Sequence, residues 1–215
     1  MTKIFLPETD LKLGLAVHER YNKIGNKNWK LAIDVGANNG YYSNEYCTQF
    51  SKVIGFEPNK SLELDHIKLK KKHKNYQFYA LGLYDKNTEV DYYSIANNTA
   101  LSTLKLDYIK NVIDHLKLDS VELNKNIQKY KIQTRTLDSF NLKPDFIKID
   151  VEGVGVEVLQ GAEQTIMQYM PTIQIEKGHE EDWLLSHDYV KIKEDPIIDE
   201  IISDHLYIHK SKIKN

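Results

Sequence analysis

The sequence predicts an α/β fold built on a parallel sheet, because short apolar runs alternate with segments of helical periodicity. Five runs have the length of a single strand: LAIDV (31–35), KVIGF (52–56), YQFYAL (76–81), DFIKID (145–150) and PTIQIE (171–176). The predicted crossover helices cover about 41–50, 60–72 and 155–169. A chain of 215 residues, 41% of them hydrophobic, can bury one sizeable core, so a single domain over 1–215 is expected.

Three parts of the chain fall outside this alternation. Residues 1–30 form a predicted N-terminal helical flank, with an amphipathic helix over 8–24. Residues 82–144 form a predicted insertion at the edge of the sheet, placed where it could cover a site. It contains the strands TEVDYYSI and YKIQTRTL, the loop ANNTALSTL and a helix near 105–118. The late runs YVKI (189–192) and HLYIH (205–209) predict a terminal antiparallel pair.

The composition of the chain disfavours several classes of function. The formal net charge of -2 disfavours a nucleic-acid partner, since such proteins usually carry a basic face. The run KLKKKHK (68–74) is therefore interpreted as the solvated face of a helix. Cys47 is the only cysteine, so the chain can form neither an intrachain disulfide nor a thiolate metal cluster. The sequence shows no signal-peptide pattern and no window of about 18 apolar residues, which predicts no membrane contact and a cytoplasmic location.

The turn after the first run has the composition of a ligand-binding loop. Ligands of parallel sheets bind outside the carboxyl ends of the strands, which is where residues 34–40 lie. Gly36 would allow a sharp turn close to a ligand, and Gly40 would allow the next helix to pack tightly against the strand. Asp34 can accept backbone N–H bonds or hold a cationic group, and Asn38 can bond either kind of partner. A plain strand-to-helix turn is the alternative interpretation.

The second run ends in IGFEPN and favours a nucleoside ligand. Glu57 lies 21 residues after the first glycine of the loop, a spacing that suits a carboxylate accepting bonds from both ribose hydroxyls. Pro58 then ends the strand. The dinucleotide fingerprint G-x-G-x-x-G is absent because Asn38 stands at its second glycine, which favours an adenosine-type cofactor without phosphates. In YALGL, Ala80 and Gly82 are small enough to leave room beside an adenine ring, although a strand ending in a turn would look the same.

The fourth run, DFIKIDVEG, carries charges where a central strand should be apolar. Lys148, Asp150 and Glu152 alternate with aliphatic residues. Burying such charges without partners would cost several kcal/mol each, so they must pair with one another or face a solvated cleft. An exposed edge strand is the alternative explanation of the alternation.

Four residues are candidates for a general base, because they follow the fourth and fifth strands at the same rim of the sheet: Asp150, Glu152, Glu176 and His179. A histidine in a polar loop such as EKGHEED is commonly a solvated bystander. Asp150, Glu176 and His179 also have oxygen and nitrogen atoms that could bind a metal, but their spacing does not require one, and no metal is predicted.

Taken in order, these motifs resemble one family. DVGANNG, FEPN, ALG, TLDSF, DFIKIDVEG, EVLQGA and PTIQIE together resemble the FkbM-type S-adenosylmethionine-dependent methyltransferases over about residues 31–177, with a further match in DHLYIH. The resemblance implies a Rossmann-like seven-stranded sheet of order 3-2-1-4-5-7-6, with an antiparallel last strand. It also implies transfer of a methyl group from S-adenosyl-L-methionine to a hydroxyl of a sugar, glycan or secondary metabolite.

The resemblance also implies a set of cofactor-binding residues. They are Asp34, Gly36, Ala37, Asn38, Gly40, Glu57, Pro58, Ala80, Leu81 and Asp150. One position departs from the family pattern, because Gly155 stands where the family commonly has an acid, two residues after the VEG glycine.

Two further hypotheses belong to other classes. One is a ribose 2'-O-methyltransferase acting on RNA, which would use lysine and carboxylates such as Lys148, Asp150 and Glu176; the near-neutral charge disfavours it. The other is a module that binds S-adenosylmethionine without catalysis. The expected partner is therefore a small-molecule or glycan acceptor, and the sequence does not set the oligomeric state.

Overall fold

The computed structural model of the protein describes residues 29–95, 98–115, 126–176, 180–192 and 204–213. Eleven strands lie in these ranges: β1 (Leu31–Val35), β2 (Lys52–Phe56), β3 (Tyr76–Tyr79), β4 (Gly82–Leu83), β5 (Thr88–Ile95), β6 (Asn98–Thr103), β7 (Ile127–Arg135), β8 (Phe146–Ile149), β9 (Thr172–Glu176), β10 (Tyr189–Lys191) and β11 (Asp204–His209). The same ranges contain six α-helices: α1 (Tyr41–Tyr46), α2 (Glu63–Lys72), α3 (Leu106–His115), α4 (Gly155–Gln160), α5 (Glu163–Tyr169) and α6 (Glu180–Ser186). Short 3-10 helices cover Lys60–Leu62, Leu137–Phe140 and Lys210–Lys212.

The main sheet has seven strands in the order β10-β11-β9-β8-β1-β2-β3. Its β3, β2, β1, β8 and β9 are parallel, whereas β11 is antiparallel to both β9 and β10. The predicted α/β class and the terminal antiparallel pair are therefore confirmed. Because β8 pairs with β1 on one side and β9 on the other, the edge-strand interpretation of DFIKIDVEG is wrong.

The insertion forms a second sheet of order β4-β7-β5-β6, so the seven-stranded prediction describes only part of the strand content. The segment ANNTALSTL was predicted to be a loop and instead contains β6, which pairs with β5 in antiparallel register. Leu101 of β6 packs in a small separate core with Ile95 of β5 and with Ile109 and Ile113 of α3. This burial against the helix that follows it explains why a short, polar-looking segment becomes a strand.

The predicted helix over 155–169 is divided into α4 and α5. The Asp138 carboxylate accepts the backbone N–H groups of Gln164 and Thr165, at 3.1 and 2.8 Å, which caps the start of α5. Gly161 lies between the two helices, where a Cβ would overlap the Tyr84 carbonyl. The predicted helix over 8–24 and the end of the predicted helix near 105–118 lie outside the described residues.

Apolar clusters cover both faces of the main sheet. One cluster joins β1, β8 and β9 to the helices α4, α5 and α6, and the other joins the opposite face to α1 and α2. The Cys47 thiol lies buried in the second cluster, where burial raises its pKa to about 12. In α2 and the residues that follow it, the predicted lysine-rich face is exposed. Within the described ranges, every helix is too short or too polar to cross a membrane.

Candidate active site

A cavity lies at the carboxyl ends of β1, β2 and β8, under the second sheet. Val35, Asn38, Glu57 and Asp150 line it from the main sheet and its loops, as does Gly36. The opposite wall is supplied by the insertion, with the following residues: Gly82, Leu83, Tyr92, Thr99, Ser102, Thr103, Leu104 and Ile132. The insertion therefore covers the crevice where a parallel sheet binds ligands, as its position in the sequence predicted.

The glycine loop turns sharply under the cavity. Gly36 has a φ of 76°, and its N–H and that of Ala37 both donate to the Phe56 carbonyl, at 3.0 and 3.1 Å. A Cβ at Gly36 would overlap the Asp150 carbonyl oxygen. The end of β8 therefore requires glycine at this position, which also lines the cavity.

Gly40 lies close to a second helix. It has a φ of 82° and precedes α1, and a Cβ there would meet Leu69 and His66 of α2 at 3.0 and 3.5 Å. The glycine therefore lets the loop approach α2, while α1 itself packs against β1 and β2.

Glu57 is held at the cavity wall by backbone donors. One carboxylate oxygen accepts the Asn38 N–H at 2.9 Å and the other accepts the Asn59 N–H at 2.7 Å. The Tyr92 hydroxyl reaches the second oxygen at 3.5 Å. Burial raises the pKa of Glu57 to about 7, although the two backbone bonds act in the opposite direction. A nucleoside that uses this carboxylate must therefore share it with Tyr92 or displace the Tyr92 hydroxyl.

Asp34 lies behind the loop and does not line the cavity. Its side chain is fully buried, and one oxygen accepts the Ser43 hydroxyl of α1 at 2.6 Å. Burial raises the pKa of this carboxyl, and the nearby charge of Lys148 opposes the shift. The structure therefore gives Asp34 a role in fixing α1 beneath the loop.

A buried histidine was missed by the sequence analysis and supports the loop from α2. His66 is fully buried, and its two ring nitrogens lie 2.7 Å from the Asn38 carbonyl and 2.8 Å from the Tyr76 hydroxyl. Because the carbonyl can only accept, the ring nitrogen facing Asn38 carries the hydrogen. The detectable signal was periodicity, since Leu62, His66 and Leu69 fall on one helical face.

Three carboxylates converge after the ends of β8 and β9, and two of them, Asp150 and Glu152, line the cavity. Carboxylate oxygens of Asp150, Glu152 and Glu176 all lie within 4.8 Å of one another. Lys148 is buried and donates to Asp150 at 2.7 Å, and its ammonium lies 4.3 Å from the centre of the Tyr42 ring. The predicted internal pairing of the charges on this strand is thus observed. Acidic groups often cluster without a metal, and we assign none here.

The surroundings of the Glu152 carboxyl raise its pKa. Burial is the largest cause that raises its pKa, to about 8, followed by repulsion from Asp150 and Glu176. A Tyr108 hydrogen bond and the charge of Lys148 oppose the shift. A carboxyl with such a pKa can accept a proton from a ligand hydroxyl near neutral or mildly basic pH.

Of the remaining residues predicted to belong to the site, only some line the cavity. Pro58 lines the cavity, whereas Ala80 is exposed and Leu81 packs against the main core. His179 lies outside the described residues. At Gly155, the space that a side chain would occupy is filled by the Glu180 carboxylate, so glycine lets an acid from α6 approach the start of α4.

Comparison with known proteins identifies a matching family domain. A model of the methyltransferase FkbM domain matches residues 34–208. The methyltransferase FkbM of Methylobacillus flagellatus KT superposes with a TM-score of 0.55 at 16% identity, covering 85% of this chain and 44% of that one. The chain therefore spans less than half the length of that protein.

Two other solved structures are similar at lower scores. An rRNA methylase from Streptococcus thermophilus has a TM-score of 0.47 at 10% identity, covering 96% of each chain. Precorrin-6y C5,15-methyltransferase from Geobacter metallireducens GS-15 has a TM-score of 0.47 at 12% identity, covering 97% of this chain and 90% of that one. No curated protein matches the sequence.

Proposed function

The chain belongs to the FkbM methyltransferase domain family, and from this premise we propose that it transfers a methyl group from S-adenosylmethionine to a hydroxyl oxygen of a sugar, glycan or secondary metabolite. The observation that carries the choice of an oxygen acceptor is the carboxylate cluster of Asp150, Glu152 and Glu176. Two of its members, Asp150 and Glu152, line the same cavity as Glu57 and offer proton acceptors for a hydroxyl.

The residues around the cavity fit the nucleoside part of this cofactor. Glu57 is a buried acceptor that suits ribose hydroxyls, and Gly36 lines the cavity beside it without a side chain. The bound cofactor supplies an electrophilic methyl group on a sulfonium. The apolar side chains of Val35, Phe56 and Leu83 would exclude water around it.

The protein residues have two tasks in the reaction. The first is alignment, since an in-line displacement requires the acceptor oxygen to be held close to the methyl carbon; such positioning can contribute several kcal/mol. The second is removal of the hydroxyl proton. Asp150 already accepts a bond from Lys148, and Glu152 has the pKa that suits proton transfer, so Glu152 is the proposed general base.

The direct test is a labelled-methyl assay with panels of sugars, polyols and RNA. Transfer to a hydroxyl in the first two panels supports the proposal. Transfer only to RNA, with a steep loss of affinity as salt rises, would instead support the ribose 2'-O alternative. In the structure Lys148 is 1% exposed and bonded to Asp150, which speaks against its use as a base on ribose. Cofactor binding with no transfer to any acceptor would support the non-catalytic alternative.

Glu57→Ala is expected to weaken the binding of S-adenosylmethionine by about 1–3 kcal/mol, or roughly 5- to 150-fold. The substitution removes the ribose acceptor and leaves the backbone N–H groups of Asn38 and Asn59 without their partner. Calorimetric titration of the folded variant measures the effect. Glu63→Ala, an exposed acid in the first turn of α2, is the matched control and should bind as the wild type does. Equal affinities of Glu57→Ala and wild type would reject Glu57 as the ribose acid.

The affinity for the same cofactor is expected to rise with pH between about 6 and 8. Because the pKa of Glu57 is about 7, the side chain is mostly protonated at pH 6, whereas ribose hydroxyls donate to the ionised form. Binding at pH 6 should therefore be about tenfold weaker than on the plateau above pH 8. Titrations of Glu57→Gln should lose this dependence. An identical pH dependence in the variant would show that another group is responsible.

A further inference from the structure

The insertion reaches the glycine loop through a hydrogen bond between two side chains. The Thr99 hydroxyl of β6 donates to the Asn38 amide oxygen at 2.9 Å, and both residues line the cavity. β6 is the edge strand of the second sheet, and Leu101 fixes its position by packing against Ile109 and Ile113 of α3. The strand is therefore held in place independently of the bond that it makes to the loop.

Asn38 is anchored at three of its four polar groups. Its backbone N–H donates to the Glu57 carboxylate at 2.9 Å, its carbonyl lies 2.7 Å from a ring nitrogen of His66, and its side-chain oxygen accepts from Thr99. The fourth group is the side-chain amide nitrogen, which no hydrogen bond reaches within the described ranges. The φ of Asn38 is 45°, a conformation that surrounding contacts must maintain. The structure thus leaves this amide nitrogen as a donor for a ligand.

The location of the unbonded donor suits a ribose. The bond from the Asn38 N–H to Glu57 puts the amide within one side-chain length of the carboxylate, and both residues line the cavity. A hydroxyl both donates and accepts a hydrogen bond, whereas an ionised carboxylate can only accept and an amide nitrogen can only donate. Glu57 and Asn38 together can therefore satisfy both capacities of a ribose hydroxyl, which the carboxylate alone cannot do.

We propose that Thr99 is a positioning residue for the cofactor: its hydroxyl holds the oxygen end of the Asn38 amide so that the nitrogen end donates to a ribose hydroxyl that itself donates to Glu57. The inference rests on the proposed function, because it takes S-adenosylmethionine as the ligand. It gives the insertion a part in binding the cofactor, in addition to covering the cavity. Without Thr99 the amide can turn about its last bond and must be ordered when the cofactor binds, which lowers the affinity.

Thr99→Val tests this role, because it removes the hydroxyl and keeps the branched shape of the side chain. Calorimetric titration should show that S-adenosylhomocysteine, the product form of the cofactor, binds about three- to tenfold more weakly. Thr99→Ser keeps the hydroxyl and should restore most of the affinity. Thr48→Val is the matched control, since Thr48 is exposed and donates to the Glu45 carbonyl outside the cavity, and it should bind as the wild type does. Equal affinities of Thr99→Val and wild type would overturn the proposal.

A double substitution separates positioning of Asn38 from a general effect on the fold. Asn38→Gly removes the positioned group, and glycine adopts the positive φ at this position without strain. In this background Thr99→Val should cause little further loss of affinity. The full loss in the same background would show that Thr99 acts without Asn38, which contradicts the proposal.

Methylthioadenosine tests the assignment of the donor to the ribose, because it keeps the nucleoside and lacks the methionine carboxylate. Thr99→Val should weaken its binding by the same factor as the binding of S-adenosylhomocysteine. A loss confined to S-adenosylhomocysteine would show that the amide donates to the methionine carboxylate, and the ribose assignment would be rejected.

The donor can also be observed directly by NMR. The side-chain amide protons of Asn38 can be assigned in isotope-labelled protein by their loss in Asn38→Gly. One of them should move downfield when S-adenosylhomocysteine binds to the wild type, with a smaller change in Thr99→Val. Binding that leaves both signals of the wild type unchanged would overturn this inference alone. Failure of the wild type to bind S-adenosylhomocysteine would instead refute the proposed function, and this inference with it.

Discussion

Glu152→Gln is expected to lower kcat for methyl transfer by about two to four orders of magnitude, the contribution usual for a positioned general base. The amide keeps the size of the side chain, but it cannot take a proton from the acceptor. Cofactor affinity should change little, because the proposed ribose acceptor is the Glu57 carboxylate, whose bonds to the backbone of Asn38 and Asn59 do not involve Glu152. Single-turnover rates with preformed cofactor complex measure the effect on the chemical step alone.

Glu163→Gln is a suitable control for this substitution. Glu163 lies on α5, and its side chain is 56% exposed and paired with His187 outside the cavity. The control should retain the wild-type rate. If Glu152→Gln also retained it, the base would have to be sought elsewhere, with Asp150 or Glu176 as the next candidates in the cluster.

Gly36→Ala is expected to destabilise the protein by about 3 kcal/mol or more. Alanine at a φ of 76° costs roughly 1–2 kcal/mol, and its methyl group would overlap the backbone carbonyl of Asp150. That backbone cannot move cheaply, because the Asp150 N–H donates to Val35 in the register of the central strands. For a protein of this size the loss corresponds to a fall in Tm of about 6–12 °C, measurable by thermal unfolding followed by circular dichroism.

Gly82→Ala provides the comparison for a glycine in the same cavity. Its backbone does not have a positive φ, and a Cβ would approach only the ends of the Ile132 and Thr134 side chains, at 3.2 and 3.4 Å. This variant should lose less than about 1 kcal/mol. If both alanines had the same small effect, the overlap with Asp150 would not be a constraint on the fold.

The sequence was sufficient to predict the strands of the main sheet and the position of the cavity at their carboxyl ends. Each strand of that sheet is a compact apolar run, and Glu57 and Asp150 follow such runs directly, so both could be assigned to the rim where they line the cavity. The charge alternation on β8 also led to the internal Lys148–Asp150 pair. These are local signals, readable in windows of five to ten residues.

The features that the sequence did not reveal depend on tertiary contacts. Leu101 of β6 packs against α3, and the break between α4 and α5 follows from contacts of Asp138 and Tyr84. The neighbours that require glycine at positions 36 and 40 were not predicted, for the same reason. The positive φ angles of these two glycines follow from the loop motif, but the neighbours that exclude a side chain come from β8 and α2.

The hydrogen bonds of His66 have a consequence for the dynamics of the protein. One imidazole joins the Asn38 carbonyl in the glycine loop to Tyr76 at the start of β3, so α2 cannot move away without releasing both. The loop and the helix should consequently open and close as one cooperative unit, in a single event with one free-energy cost. Rearrangement of the loop during cofactor entry or exit would then be transmitted to the lysine-bearing surface on the far side of α2.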